Sequence, residues 1–271
     1  MINRLTRSLN IDNKIGHMLD RTSLLLIAAW LVTMILFPIG YWVAGDSVIP
    51  PAITIAALIQ SLAVFYPLNR AWGFRRAAVL LAAVAVLTWF AEFVGSKTGF
   101  PFGRYDYTPV LQPQLGGVPL LIPFAWFMML PPAWAVVQAA WPHNHRTFWH
   151  RLQFAGLSAM CLTAWDLFLD PQMVGWNFWQ WQEPSGYFGI PFSNYLGWLL
   201  VSFVISWLLY PRQLPLFPLI IVYAAVWFLQ SIGLAVFWGQ PGPALFGSIG
   251  MGIFLALALR SRFWASSSSR W

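Results

Sequence analysis

The chain has 271 residues, of which 59% are hydrophobic, 18% aromatic and 8% charged, with a formal net charge of +7. Soluble domains carry about 25% charged residues, so this composition excludes an ordinary globular enzyme and defines an integral membrane protein. The excess of cations does not indicate nucleic acid, because these cations flank apolar segments, where they set topology and contact anionic lipid.

Residues 1–22 are polar and lack a small-residue cleavage site, so they are expected to form a retained cytoplasmic tail. Apolar segments follow near 23–44, 49–67, 77–95, 119–141, 152–170, 195–210, 216–238 and 243–260, the sixth and eighth being short. Each is close to the roughly 20 residues that span about 30 Å of hydrocarbon. The sequence therefore predicts an all-α, polytopic bundle of about eight transmembrane helices, with one transmembrane domain over 23–262 and a cytoplasmic tail over 263–271. Of 15 Lys and Arg residues, 13 fall at the termini and in alternate connections, while the opposite side receives only Lys97 and Arg104. That alternation predicts a multi-pass protein of the cell membrane with both termini cytoplasmic.

The connections over 96–118 and 171–194 are then extracytoplasmic. Both far exceed the roughly two to eight residues usual in helical bundles, and they are dense in Trp, Tyr and Phe, which predicts lids at the membrane interface. They also echo each other. Gly117-Val118-Pro119 precedes Trp126 as Gly189-Ile190-Pro191 precedes Trp198, the Trp standing nine residues after the glycine in both, and an acid-bearing helix leads into each loop. This reads as a duplicated unit whose parallel halves build one site, the alternative being coincidence in apolar sequence.

Six of the eight acidic residues (Asp46, Glu92, Asp106, Asp166, Asp170 and Glu183) lie at or beyond the extracytoplasmic helix ends. Carboxyls near hydrocarbon that outnumber their cations are expected to hold protons, since burial disfavours charge. Glu92, in TWFAEFVG, has Trp89 and Thr88 on its own helix face; it is either a catalytic group or a carboxylate snorkelling toward Lys97. Asp166 and Asp170, in TAWDLFLDPQ, are one turn apart on one face. Like charges at that spacing favour one retained proton, hence an acid beside a base; the alternative makes Asp170 part of a helix stop before Pro171.

Asp106 reads equally as a surface ion pair with Arg104, and Tyr105 and Tyr107 as site donors or interface anchors. Glu183 reads as loop surface. Trp126, Trp176, Trp179, Trp181 and Trp198 are belt residues by default, but aromatic faces also stabilise cations. Cys161 is the single cysteine, and His143, His145 and His150 lie on the cytoplasmic side, so no metal site is expected. No nucleotide, flavin or haem signature is present, so no cofactor is expected. Gly247, Ser248, Gly250 and Gly252 are expected to form a close-packing face.

Four segments, EFVGSKTGFPFGRYDY (92–107), GGVPLLIPFAW (116–126), TAWDLFLDPQMVGWNFW (163–179) and GIPFSNYLGW (189–198), together resemble the membrane-embedded, cofactor-independent carotenoid 1,2-hydratases. That family includes the bacterial gamma-carotene 1'-hydroxylases and the archaeal bisanhydrobacterioruberin hydratases. The resemblance implies addition of water to the terminal C1=C2 double bond of an acyclic (psi) carotenoid end group, giving a tertiary alcohol. The substrate would be lycopene, gamma-carotene or a C50 precursor, met in membrane lipid and in the company of other carotenoid-pathway enzymes.

The residue roles come from the physical reading. Glu92 is expected to protonate the alkene and the Asp166/Asp170 pair to orient and deprotonate water, or the reverse. Trp89, Trp165, Trp176 and Trp179 are expected to wall the pocket, with Tyr105, Trp126 and Trp198 also at the substrate. Two other readings remain at this point: a lycopene cyclase, in which an internal alkene captures the cation, and a proton-coupled transporter, which would not be an enzyme.

Overall fold

The computed structural model describes residues 19–142 and 147–267, with the backbone alone for 262–267. Residues 1–18, His143, His145, Arg146 and the end of the C-terminal tail lie outside the described residues. Among those described, seven apolar helical runs are long enough to cross a membrane, the first being Arg21–Trp72. That run comprises two helices, α1 (Arg21–Ala44) and α2 (Ile49–Trp72), broken by a 3-10 turn at Gly45–Val48 and packed on each other, so the eight expected spans are present. They continue as α3 (Phe74–Thr98), α4 (Leu121–Ala140), α5 (Phe148–Gly175), α6 (Phe192–Leu209), α7 (Leu216–Ile232) and α8 (Pro241–Ser267). A π-helical turn, Gly233–Phe237, follows α7, and α8 is 27 residues long rather than short.

In lipid, the apolar faces look outward and the less apolar helices fill the centre. Accordingly α4, rich in Trp, Pro and Ala, is buried along most of its length and packs against α2, α3, α5, α7 and α8. α5 is the other largely buried helix and packs against α6 and α8. The small residues of α8 serve this packing: Gly247 and Gly250 lie against Phe168 and Ala164 of α5, and Ser248 bonds Ser231 on α7 at 2.6 Å.

Four helices run through prolines (Pro38 in α1, Pro67 in α2, Pro131 and Pro132 in α4, Pro171 in α5), each of which leaves the carbonyl four residues earlier without its helical donor. The alternative reading, in which Asp170 belongs to a helix stop before Pro171, is not what forms: α5 continues to Gly175. The reason is external satisfaction: the Tyr187 hydroxyl donates to the freed Leu167 carbonyl at 3.1 Å, while Gln240, donating to the Pro171 carbonyl at 3.0 Å, ties the following turn to the start of α8. In α4, Gln60 Nε2 of α2 approaches the Met128 carbonyl freed by Pro132, at 3.4 Å.

The two long connections form one structure. Strand β1 (Tyr105–Tyr107) pairs antiparallel with β4 (Trp179–Trp181), placing Tyr105 opposite Trp181, Asp106 opposite Gln180 and Tyr107 opposite Trp179. A smaller hairpin, β2 (Gln114–Leu115) and β3 (Val118–Pro119), lies within the first connection. The sheet is anchored by Phe102, which wedges between α3 and α6; a Cβ at Gly197 would stand 2.6 Å from its ring, and one at Gly95 would stand 2.7 Å away.

Replacing Tyr187 by Phe removes the donor that lets α5 pass Pro171. The expected loss is about 1–2 kcal/mol, the cost of stranding a buried carbonyl. It is read as a lowered thermal midpoint of the detergent-solubilised protein.

Candidate functional site

The spacing of residues in β1 builds the first half of the site. Residues two apart on a strand share a face, so Tyr105 and Tyr107 both turn toward α3 while Asp106 faces out. There Asp106 accepts from Gln182 at 2.9 Å, and no ion pair joins it to Arg104. Both tyrosines donate to Glu92 Oε2, at 2.5 Å and 2.8 Å, and the Trp126 indole of α4 donates to Oε1 at 3.1 Å. Burial first, and the Glu92 carboxyl second, push both phenols up, so they stay protonated as donors.

On α5, Asp166 and Asp170 project from one face as their spacing predicts. Asn194 at the start of α6 donates through Nδ2 to both, at 2.9 Å to Asp166 Oδ2 and also to Asp170 Oδ2. The Trp179 indole, from β4, donates to Asp170 Oδ1 at 3.0 Å. Asp166 Oδ1, the Trp165 and Trp181 indole nitrogens and the Tyr195 hydroxyl are buried without a hydrogen-bond partner. Glu92, Asp166 and Asp170 are all buried, and the sole ion pair among the described residues is Arg70–Asp20 at the other end of the bundle.

The two halves meet in one cavity of about 490 Å³. Glu92, Asp170, Asn194, Tyr105 and Tyr107 reach it, as do Trp126, Trp165, Trp176, Trp179, Trp181 and Trp198. The indoles of Trp126 and Trp198 stack with centroids 4.0 Å apart and planes 7° apart, and Trp165 meets Trp198 edge-on at 6.0 Å. Asp166 stands behind Asp170, joined to the cavity through Asn194. Trp89 is placed elsewhere: it stacks on Phe93 at 5.3 Å, and its indole donates to the Leu115 carbonyl, so it steadies the small hairpin instead of walling the pocket.

Sequence reasoning missed Asn194, because a single Asn after a Pro reads as a helix cap and nothing local marks it as a bridge between carboxyls. Tyr107 and Trp181 it noted without using them as site residues. The period-2 pattern YDY opposite WQW was the available signal, but the pairing of the two loops is needed to aim it.

The fold and cavity define a polytopic membrane protein with uncompensated carboxyls in an aromatic pocket at one end of the bundle. The chain belongs to the carotenoid biosynthesis protein family, whose model matches residues 52–255. It is also 35% identical over 127 residues to the bisanhydrobacterioruberin hydratase of Haloarcula japonica. That match covers 46% of this chain and 42% of the relative, so less than half of the relative's length is spanned. No solved structure matches the fold.

Widening Gly197 to Val forces Phe102 and the Pro101 carbonyl away from α6. Overpacking of this kind costs about 1–3 kcal/mol. The β1–β4 sheet should loosen, which hydrogen exchange at residues 105–107 and 179–181 will detect as faster exchange.

Proposed function

We propose that this protein is a carotenoid hydratase that adds water to a terminal, trisubstituted double bond of an acyclic end group. The observation carrying this reading is the meeting of two buried carboxyls, Glu92 and Asp170, on a cavity walled by tryptophan, with Asp166 directly behind the second and none of the three paired with a cation. Family membership and the likeness to a hydratase support the substrate class. The finer points, a psi end group yielding a tertiary alcohol without a cofactor, are what the family resemblance implies, and the acids and aromatic walls suit that chemistry.

Of the two assignments left open by the sequence, the geometry favours the one in which the Asp pair is the acid. Two adjacent carboxyls without a cation are best accommodated by sharing one proton, and Asp170 presents that proton to the cavity. Glu92 has no second carboxyl beside it with which to share a proton and accepts from two phenols and an indole, so it is left as the proton acceptor. In the proposed cycle Asp170 protonates the less substituted alkene carbon, leaving a tertiary cation faced by Trp126, Trp165 and Trp198. Water adds to the cation and releases its proton to Glu92. Return of that proton to the Asp pair closes the cycle, with one water added and nothing else consumed.

The cluster of cations at the opposite end of the bundle supports a cytoplasmic placement of both termini, and hence a site in the outer half of the cell membrane.

Expression in a lycopene-producing bacterium followed by pigment mass spectrometry tests the reaction. A gain of one water is expected, and its absence or an isomer of unchanged mass overturns the reading in favour of transport or cyclisation. Asp170→Asn and Glu92→Gln should each lower product by a factor of about 10² or more, the usual weight of a general acid or base. The double variant Tyr105→Phe, Tyr107→Phe, which keeps the rings and removes the donors to Glu92, should lower turnover by about tenfold or more while pigment still binds.

A further inference from the structure

The cavity has two unlike ends. Its inner end holds Glu92, Asp170 and Asn194 under the β1–β4 sheet. Its other end is lined by Ile35 and Ile39 of α1 and by Phe228 and Ile232 of α7. Each pair is spaced by one helical turn, so each forms a continuous edge. These side chains are 57%, 47%, 54% and 39% exposed, on apolar helices whose outer faces meet lipid. The cavity therefore runs without interruption from buried acids to the acyl-chain layer.

Toward the loops the cavity is lined by a ring cluster: Phe37, Trp176 and Trp238 pack ring against ring, with centroids 4.9–5.4 Å apart. Volume sharpens the point. About 490 Å³ lies in the lower half of the range for pockets that enclose drug-sized ligands, roughly 300–1,000 Å³. A carotenoid comparable in length with the bilayer core does not fit inside.

We propose that the slot between α1 and α7 admits the substrate sideways from the bilayer, one end group at a time, while the rest of the polyene lies outside along Ile35, Ile39, Phe228 and Ile232. The nature of the occupant rests on the hydratase reading; the slot itself rests on the cavity. A substrate with two reactive ends must then leave and re-enter reversed, so a singly hydrated intermediate is released between the two additions.

The experiment places tryptophan on each wall separately, as Ile39→Trp and Phe228→Trp, with Leu36→Trp and Val43→Trp as controls on lipid-facing positions of α1 outside the cavity. Each full-length variant is expressed in lycopene-producing cells, and hydrated product and pigment retained by the purified, monodisperse protein are both measured. Both quantities are expected to fall roughly tenfold or more in the two slot variants and to stay at the unsubstituted level in the controls. Slot variants that match the unsubstituted protein overturn the slot while leaving the hydratase reading in place. Pigment that is bound and then lost in the slot variants, with no water added by any variant, keeps the slot and removes the hydratase reading. An unsubstituted protein that neither binds nor hydrates pigment overturns both.

Discussion

The site depends on carboxyl groups held in place by neutral donors instead of cations. Glu92 is bound by two phenols and an indole, Asp170 by an indole and an amide, and Asp166 by the same amide. A guanidinium or ammonium would give each carboxylate a partner and leave it a poor acid. Phenol, indole and amide satisfy its oxygens while leaving net charge to be settled by a proton. All of these donors come from elements outside the acid-bearing helices: β1, β4, α4 and α6. The acids are thus poised only when the loops are folded over them, which ties the chemistry to the β1–β4 pairing.

That pairing has an internal logic. Glu92 and Asp166 are separated by 74 positions, as are Asp106 and Gln180 at the centre of the two-stranded sheet and Phe74 and Phe148 at the starts of α3 and α5. Two equivalent strands meeting about a two-fold axis pair in this register, and the stacked Trp126 and Trp198 are the equivalent tryptophans of the next helices. The duplicated unit read from the sequence fits this arrangement. The halves differ where the chemistry does: the positions of Tyr105 and Tyr107 in the first unit correspond to Trp179 and Trp181 in the second, and Asp170 has Ser96 as its counterpart. One unit carries a single acceptor acid with hydroxyl donors, the other a carboxyl pair with an amide bridge.

Much of this was legible in the chain itself. Helix number follows from apolar runs of membrane-spanning length, and the absence of an ion pair at Glu92, Asp166 and Asp170 follows from the distribution of charge. What the sequence did not reveal required partners distant along the chain. Pro171 reads as a helix stop because its cost is local, whereas its compensation comes from Tyr187, 20 residues along the chain from the freed Leu167 carbonyl. Trp89 reads as a pocket wall because it is one turn from Glu92, but the Leu115 carbonyl turns it to the hairpin. Asn194 has no pattern of its own and acquires a role only when α6 packs on α5.

The two ends of the cavity also bear on which nucleophile a cation formed here would meet. In a cyclase the chain must bring its own alkene to the cation, which calls for apolar walls and the exclusion of water. Here Gln172, Asn194, Asp170 and Glu92 reach the same space as the tryptophans, and Asp166 Oδ1 behind them is a buried acceptor with no protein donor. Buried oxygens of this kind are nearly always paired with protein or ordered water. A polar end that can hold water, joined to an apolar end that takes only hydrocarbon, brings the two reactants from opposite directions. On the proposed reading such a division favours hydration, because the chain beyond the end group would stay in the slot, away from the cation, and the polar end would offer water as the nearer nucleophile.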